Sequence, residues 1–139
     1  MPYPEMMVAP MRQDLVRFGF HELRTPDDVD ALLAGEKRTL LLAVNSVCGC
    51  AAGSMRPAVA MAIGEGARPE VLTTVFAGQD LDATERAREY ITGYPPSSPS
   101  VALFKDGELV YMMERHQIEG RSPYQIADDL KAAFAEHCG

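Results

Sequence analysis

The sequence predicts an α/β protein in which a central mixed β-sheet has helices on both faces. Three observations support this class: an apolar strand–helix–strand order over residues 39–76, an Asp-Gly pair at residues 106–107, and a helix-capping pattern at residues 122–125. The strand–helix–strand unit predicts a parallel pair of strands, whereas the Asp-Gly hairpin adds an antiparallel pair. The 139 residues suit one domain with one hydrophobic core.

Two helices are predicted before the sheet begins. Apolar residues spaced by four and three after Pro10 predict a short amphipathic helix that ends at Gly19. Thr25 then stands before a proline and two aspartates, which is typical of a capped helix start. This second helix is expected to end at Gly35.

The first half of the sheet is predicted from short apolar runs. Residues 39–44 are apolar without alternation after the threonine, which indicates a strand buried on both faces. A helix over residues 51–63 follows, and its internal Pro57 is expected to kink it because proline has no N–H to donate. Residues 71–76 are predicted to form the second buried strand.

The second half of the sheet follows a further helix over residues 81–92, which Asp80 is expected to cap. Two more strands are predicted at residues 101–104 and 109–113, joined by the Asp-Gly turn. Ser122 begins the last helix in a capping box, with proline at the first helical position.

Composition and charge exclude several classes of protein. Hydrophobic residues make up 47% and charged residues 24%, which is ordinary globular usage. The net charge is −7 and no lysine or arginine run occurs, so the positive footprint of a nucleic-acid binder is missing. No apolar run approaches the roughly 20 residues of a membrane span. The first eleven residues lack the basic start of a signal peptide, so we expect a cytoplasmic protein without a membrane or nucleic-acid partner.

Cysteines are the most informative residues. Cys48 lies where a predicted strand meets a helix, and the unpaired amides of a helix start stabilise a thiolate, so its pKa should lie below about 8.5. Cys50 is placed to attack a mixed disulfide formed on Cys48. A direct disulfide between the two would close a small ring around Gly49. We expect this ring to be strained, and strain raises the reduction potential of the disulfide. Gly49 leaves the backbone free to adopt either state.

Interpretations of these residues that need no catalytic role also remain open. The cysteines could be small buried hydrophobic residues. A structural zinc site needs four ligands, and Cys48 and Cys50 supply two, so no metal is predicted. Cys138, next to last in the chain, is expected to be an exposed bystander on a frayed helix end. Arg56 could contact an anionic thiol ligand, but it is expected to be solvated. The histidines do not have metal-ligand spacing: His21, His116 and His137.

Four pieces of sequence together resemble one known family. They are residues 1–4 with 12–20, the Asn-Ser-Val-Cys-Gly-Cys-Ala-Ala-Gly run at 45–53, the Pro-Ser-Ser-Pro-Ser run at 96–100, and Arg-His with Ile-Glu-Gly at 115–120. The sequence in this respect resembles the bacilliredoxin family, a branch of the thioredoxin-like fold. The resemblance spans nearly the whole chain. It implies a single thioredoxin-like domain, with a core at residues 36–139 and an N-terminal helical extension at residues 1–35.

The resemblance implies a function in bacteria that use bacillithiol as their small thiol. Bacilliredoxins are understood to remove bacillithiol from cysteines of client proteins that it has capped under oxidative stress. By position, Cys48 is implied to be the nucleophile and Cys50 the second, resolving or modulating cysteine. Pro99 matches the cis-proline before the third strand, and the Ser98 backbone would pair with an extended substrate. With Gly49, these two residues form the implied substrate-binding site. No bound cofactor is implied; bacillithiol is the thiol co-substrate, and bacillithiolated clients are the partners.

Departures from ordinary thioredoxins narrow the expected activity. The motif is C-x-C rather than C-x-x-C, the chain has no tryptophan, and Leu42 stands where thioredoxins tend to carry a buried acid. We therefore expect a poor general disulfide reductase. A carboxylate-bearing small thiol would also be drawn to the helix N-terminus. Two alternatives stay open: a weak protein disulfide isomerase, and a non-catalytic thioredoxin-like module whose cysteines sense redox state or hold a metal. Whether Cys50 or a second bacillithiol releases the cap from Cys48 is also open.

Overall fold

The computed structural model describes residues 2–64 and 66–139. Met1, part of the N-terminal motif, and Glu65 lie outside the described residues. The strands are β1 (His21–Glu22), β2 (Leu40–Asn45), β3 (Val71–Phe76), β4 (Ser100–Lys105) and β5 (Glu108–Met113). The helices are α1 (Glu5–Val16), α2 (Pro26–Leu33), α3 (Arg56–Ala62), α4 (Leu81–Tyr90) and α5 (Pro123–Cys138), with a π-helical turn at Ala51–Met55 and a 3-10 turn at Arg115–Gln117.

Within this described part, the strands form one mixed sheet in the order β1-β3-β2-β4-β5. β2 lies parallel to β3, with Leu40 opposite Val71, and antiparallel to β4, with Val44 opposite Ser100. The hairpin between β4 and β5 turns through Asp106 and Gly107, which have φ angles of 55° and 80°. Two successive positive φ angles are typical of the type I′ turn, whose twist matches that of the strands. The mixed sheet and the Asp-Gly hairpin are confirmed.

Both faces of the sheet are covered by helices, as predicted. One core cluster joins the sheet to α3, α5 and the end of α1, and the other joins it to α2 and α4. Alternate residues of β2 serve the two clusters: Leu41 lies in the first, whereas Leu42 lies in the second. The apolar run of β2 lacks polar alternation because both of its faces are buried.

The N-terminal helix differs from its prediction. α1 begins at Glu5 rather than at Pro10, and Pro10 lies inside it. Tertiary contacts hold the earlier start: Arg12 donates to Glu5 at 2.8 Å and to Asp80 at 2.6 Å. Asp80 precedes α4 as expected, but its side chain makes no capping hydrogen bond because it binds Arg12 instead. The sequence pattern of a single segment could not show this long-range pairing.

A two-residue strand also escaped prediction because it is too short to show a periodic pattern. β1 pairs in parallel with β3, with His21 opposite Thr73. It lies within the segment predicted as an N-terminal extension, so that segment contributes to the sheet; the division at residue 35 stays a prediction. None of the helices within the described residues combines the length and apolar character of a membrane span.

The sequence predicts a kink at Pro57, and the structure has a π-helical turn at Ala51–Met55, directly before α3. The amide of Arg56 donates to the carbonyl of Ala51, five residues back rather than four. Pro57 follows directly as an early residue of α3, where its missing N–H costs least. A π-helical turn inside a longer helix is frequent at functional sites, and this one directly follows Cys50.

Candidate active site

Cys48 and Cys50 lie just beyond the carboxyl end of β2 and are joined by a disulfide. The carbonyl of Cys48 accepts hydrogen bonds from the amides of Ala51 at 2.9 Å and Ala52 at 3.2 Å, which closes the first helical turn. The amide of Cys50 lies 3.4 Å from the Cys48 sulfur and points its N–H at it. The predicted placement of Cys48 at a strand-to-helix junction is therefore confirmed.

A buried polar cluster of Asn45, Ser46 and Arg56 supports this junction. The side-chain carbonyl of Asn45 accepts from the Ser46 amide at 2.9 Å and from Arg56 at 2.8 Å. Arg56 also donates to the Ser46 carbonyl at 2.9 Å, and the Ser46 hydroxyl accepts from the Cys48 amide at 3.2 Å. These bonds fix the backbone that leads into Cys48, so the position of its sulfur depends on a side chain eight residues further along.

Arg56 is therefore not the solvated residue that the sequence predicted. Its side chain is only 4% exposed, and it pairs with Asp14 of α1 at 3.0 Å. Burial lowers the pKa of Arg56, an effect that the neighbouring Asp14 carboxylate opposes. The pairing ties α1, the Cys48 loop and α3 together, which periodicity within one helix does not reveal.

The loop before β4 lies on the other side of Cys48. The Ser98–Pro99 peptide bond is cis, as the resemblance implied, and Pro99 is buried. Ser98 is half-buried, and its carbonyl accepts a hydrogen bond from Arg115 at 3.1 Å. A substrate backbone that paired with this carbonyl would share it with Arg115 or displace Arg115 from it, since a carbonyl oxygen can accept two hydrogen bonds.

Arg115 is the functional residue that the sequence reasoning missed. Its Nη2 lies 3.3 Å from the Cys48 sulfur, while Nη1 donates to Ser98. The same guanidinium pairs with Glu119, one turn further on, at 3.0 Å. Arg115 thus joins the nucleophile candidate to the cis-proline loop across 67 residues of sequence. In the sequence, its Arg-His segment is marked only by the family resemblance.

The contact gives the site an electrostatic bias. A guanidinium stays charged at any physiological pH, and a cation beside a cysteine stabilises its thiolate. Glu119 opposes this effect because its carboxylate shares the same cation. The Cys48 sulfur is therefore contacted by the positive charge of Arg115 and by the amide of Cys50 at the helix start. Both groups stabilise a thiolate at Cys48, whether it attacks or leaves.

The other residues singled out in the sequence do not contact the Cys48 sulfur in the hydrogen bonds described above. Gly49 is exposed, and a Cβ built on it would meet no atom within 4 Å, so neither space nor a positive φ requires glycine there. Its role toward substrate stays a prediction, as does that of Ser98. His116 is 75% exposed beside Glu114. Within residues 2–64 and 66–139, no group of three potential metal ligands comes together.

Cys138 differs from its prediction. It is half-buried at the end of α5 and packs against the core rather than standing exposed. Burial raises the pKa of its thiol above the ordinary value. A neutral thiol is a poor nucleophile, so its expected lack of a redox role has a structural reason other than fraying.

Comparison with known proteins gives a consistent family and fold. A family model described as "Disulphide isomerase" matches residues 3–138. A bacilliredoxin of Salinibacter ruber is 58% identical over 141 residues, which cover 100% of this chain and 83% of that protein. A bacilliredoxin of Geobacillus kaustophilus is 54% identical over 132 residues, covering 95% of this chain and 90% of that one.

Solved structures show the thioredoxin fold. A mutant thioredoxin from Halobacterium salinarum superposes with a TM-score of 0.55 at 17% identity, over 85% of this chain and 89% of that one. Mitochondrial thioredoxin 3 of Saccharomyces cerevisiae gives a TM-score of 0.53 at 19% identity, over 81% and 94% of the two chains. At these identities the likeness establishes the fold alone, and it confirms the thioredoxin-like prediction.

Proposed function

The chain belongs to the bacilliredoxin family and is a thiol–disulfide oxidoreductase, and we propose that it removes bacillithiol from mixed disulfides on client proteins. The observation that best supports this is that the Cys48 sulfur has two partners: it is bonded to Cys50, and it lies 3.3 Å from the Arg115 guanidinium. An oxidised pair is the product that such a reaction leaves when Cys50 resolves it.

In the first step, the Cys48 thiolate attacks the bacillithiol sulfur of the mixed disulfide. A new bond forms between the two sulfurs, and the bond between bacillithiol and the client breaks. The client cysteine leaves as a thiolate and takes a proton from solvent. The positive charge of Arg115 stabilises the attacking thiolate of Cys48 before the bond forms.

In the second step, bacillithiol leaves Cys48 by one of two routes. The Cys50 thiolate attacks the Cys48 sulfur, which expels bacillithiol and forms the Cys48–Cys50 disulfide; an external thiol pair must then reduce that bond. Alternatively, a second bacillithiol thiolate attacks the bacillithiol sulfur, which produces bacillithiol disulfide and regenerates the Cys48 thiolate. The adjacency of the two cysteines favours the first route.

Disulfide isomerisation is the second candidate function, and the description of the matching family model favours it. An isomerase uses the same attack by Cys48 on a disulfide between two protein cysteines. The two candidates differ in the electrophile, because a capped client contains a small thiol and an isomerase substrate does not. We place either reaction in the cytoplasm, where small thiols maintain protein cysteines.

Cap release from a defined client tests the proposal. A single-cysteine client peptide is bacillithiolated, and the free peptide is measured over time with the wild type and with Cys48→Ser, Cys50→Ser and Cys138→Ser. We expect Cys48→Ser to abolish release, Cys50→Ser to permit one stoichiometric release, and Cys138→Ser to match the wild type. Release by Cys48→Ser at the wild-type rate would contradict the proposal. A scrambled-disulfide substrate repaired faster than the capped peptide would favour the isomerase.

A further inference from the structure

A small cavity of about 230 Å³ lies next to the cis-proline loop. It is formed where the end of α4, the loop after it, and the adjoining ends of β4 and β5 meet. Most of its wall is apolar, and its polar side chains come from one arginine, two serines and one tyrosine. The lining residues include Arg88 of α4, Ser97 of the loop and Ser100 of β4.

Arg88 brings an uncompensated positive charge to this cavity. Among the described residues, its guanidinium makes one hydrogen bond, to the carbonyl of Ser97 at 3.5 Å, and has no carboxylate partner within 4.0 Å. Arg86, two residues earlier on the same helix, is by contrast paired with Asp30 at 2.7 Å and Glu89 at 3.1 Å. Partial burial lowers the pKa of Arg88, but a guanidinium remains charged near neutral pH.

The cavity and the Cys48 sulfur are both connected to the loop before β4, the cavity through its lining residue Ser97 and the sulfur through Arg115. The Ser97 carbonyl accepts from Arg88 on the cavity side and from the Ser100 hydroxyl at 3.0 Å. The Ser97 hydroxyl accepts from the backbone amide of Arg115 at 3.4 Å, and the Arg115 side chain reaches Cys48. The loop therefore connects the cavity to the Cys48 sulfur through the hydrogen bond between Ser97 and Arg115.

We propose that this cavity binds a carboxylate of the small thiol that caps the client cysteine, with Arg88 as its ion-pair partner. The inference rests on the proposed function, because it names where part of that substrate binds. An unpaired guanidinium and a carboxylate form a charge-assisted pair with two parallel hydrogen bonds. The apolar walls suit a short carbon chain that carries the carboxylate, and the cavity is smaller than the roughly 300–1,000 Å³ of a site for a whole drug-sized ligand. The serines supply hydroxyl groups along the same wall.

Binding is tested first without any reaction. The Cys48→Ser/Cys50→Ser protein is titrated with 3-(methylthio)propionate, an unreactive thioether acid, and with its neutral amide, and NMR chemical shifts are followed. We expect the acid to shift the Arg88 side-chain and the Ser97 and Ser100 amide signals, and the amide to leave them in place. Arg88→Gln should abolish the shifts, and Arg86→Gln should retain them. No shift with the acid would overturn the proposal.

Cap transfer tests the same site during turnover. One client peptide is capped with bacillithiol, with 3-mercaptopropionate or with neutral 2-mercaptoethanol, so that the leaving thiol is identical in all three. We expect Arg88→Gln to slow uptake of both carboxylate caps about tenfold, equal to ~1.4 kcal/mol, and to leave the neutral cap unchanged. Arg86→Gln should leave all three rates unchanged. Equal slowing of all caps by Arg88→Gln, or slowing of none, would overturn the proposal.

A third arm asks whether the carboxylate comes from the client instead. The neutral cap is placed on peptides with glutamate or glutamine beside the cysteine. If Arg88→Gln slows only the glutamate peptide, the cavity serves the client and the proposal is wrong. NMR shifts that depend on Arg88, together with no cap transfer by the wild type, would support the cavity and reject the proposed function. Cap transfer without those shifts would do the reverse.

Discussion

Replacing Arg115 by glutamine removes the cation that lies on the Cys48 sulfur, and we expect the pKa of Cys48 to rise. The direction follows from charge: Arg115 favours the thiolate, so its loss favours the neutral thiol. The guanidinium is 3.3 Å from the sulfur. Because Arg115 belongs to no buried core cluster and its side chain is 44% exposed, the variant is expected to fold.

The size of the effect follows from the distance and the exposure. Two unit charges 3.3 Å apart interact by about 1.3 kcal/mol at the dielectric constant of water and by about 5 kcal/mol at an effective value of about 20. The lower figure applies, because Arg115 is half-exposed and shares its charge with Glu119. We therefore expect the pKa of Cys48 to rise by about one unit in Arg115→Gln.

The pH dependence of alkylation measures this pKa. The reduced protein carries Cys50→Ser and Cys138→Ser, so that Cys48 is the one thiol, and its rate with iodoacetamide is recorded against pH. Glu119→Gln should shift the midpoint the opposite way, because it frees the guanidinium for the sulfur. Arg38→Gln, at an exposed pair with Glu36, is the charge-matched control. An unchanged midpoint in Arg115→Gln, or the same shift in Arg38→Gln, would refute the reasoning.

Three further predictions concern the scaffold and the third cysteine. Arg56→Gln should lower the free energy of unfolding in urea by about 2 kcal/mol, because it removes the guanidinium donor to the buried Ser46 carbonyl and one of the two donors to the Asn45 side-chain carbonyl; a variant as stable as the wild type would contradict this. Gly107→Ala should cost about 1–2 kcal/mol in the same assay, since it forces a side chain to a φ of 80°, and a neutral substitution would argue against the type I′ turn. Cys138 should react with iodoacetamide more slowly than an unfolded thiol at pH 8, because burial raises its pKa, and its rate should rise on unfolding; an equal rate in both states would show that it is not buried.

The fold was largely predictable because its signals are local. The apolar run of β2, the capping box at Ser122 and the Asp-Gly turn each depend on residues adjacent in sequence. The early start of α1 was not predictable, since Arg12 holds it through a carboxylate 68 residues away. β1 is too short to show any pattern.

The same distinction applies to the site. Cys48 and Cys50 are recognisable because the motif and its strand-to-helix setting are contiguous. Arg115 contacts Cys48 from 67 residues away, and Arg56 binds the carbonyl of Ser46 from 10 residues away. Nothing in their own segments marks them as neighbours of the motif. Surface charge on a short turn and a charge inside a helix both predict solvent exposure, which is wrong for Arg56.

The most direct test of the central claim is the intact mass of the protein after one turnover. The reduced Cys50→Ser variant is mixed with an equimolar bacillithiolated peptide, and the protein is then analysed by mass spectrometry with peptide mapping. We predict that the protein gains the mass of one bacillithiol, that the adduct maps to Cys48, and that the peptide is released as a free thiol. An adduct of the peptide itself on Cys48, or uptake of bacillithiol by a Cys48→Ser/Cys50→Ser variant, would contradict the proposed removal of bacillithiol by Cys48.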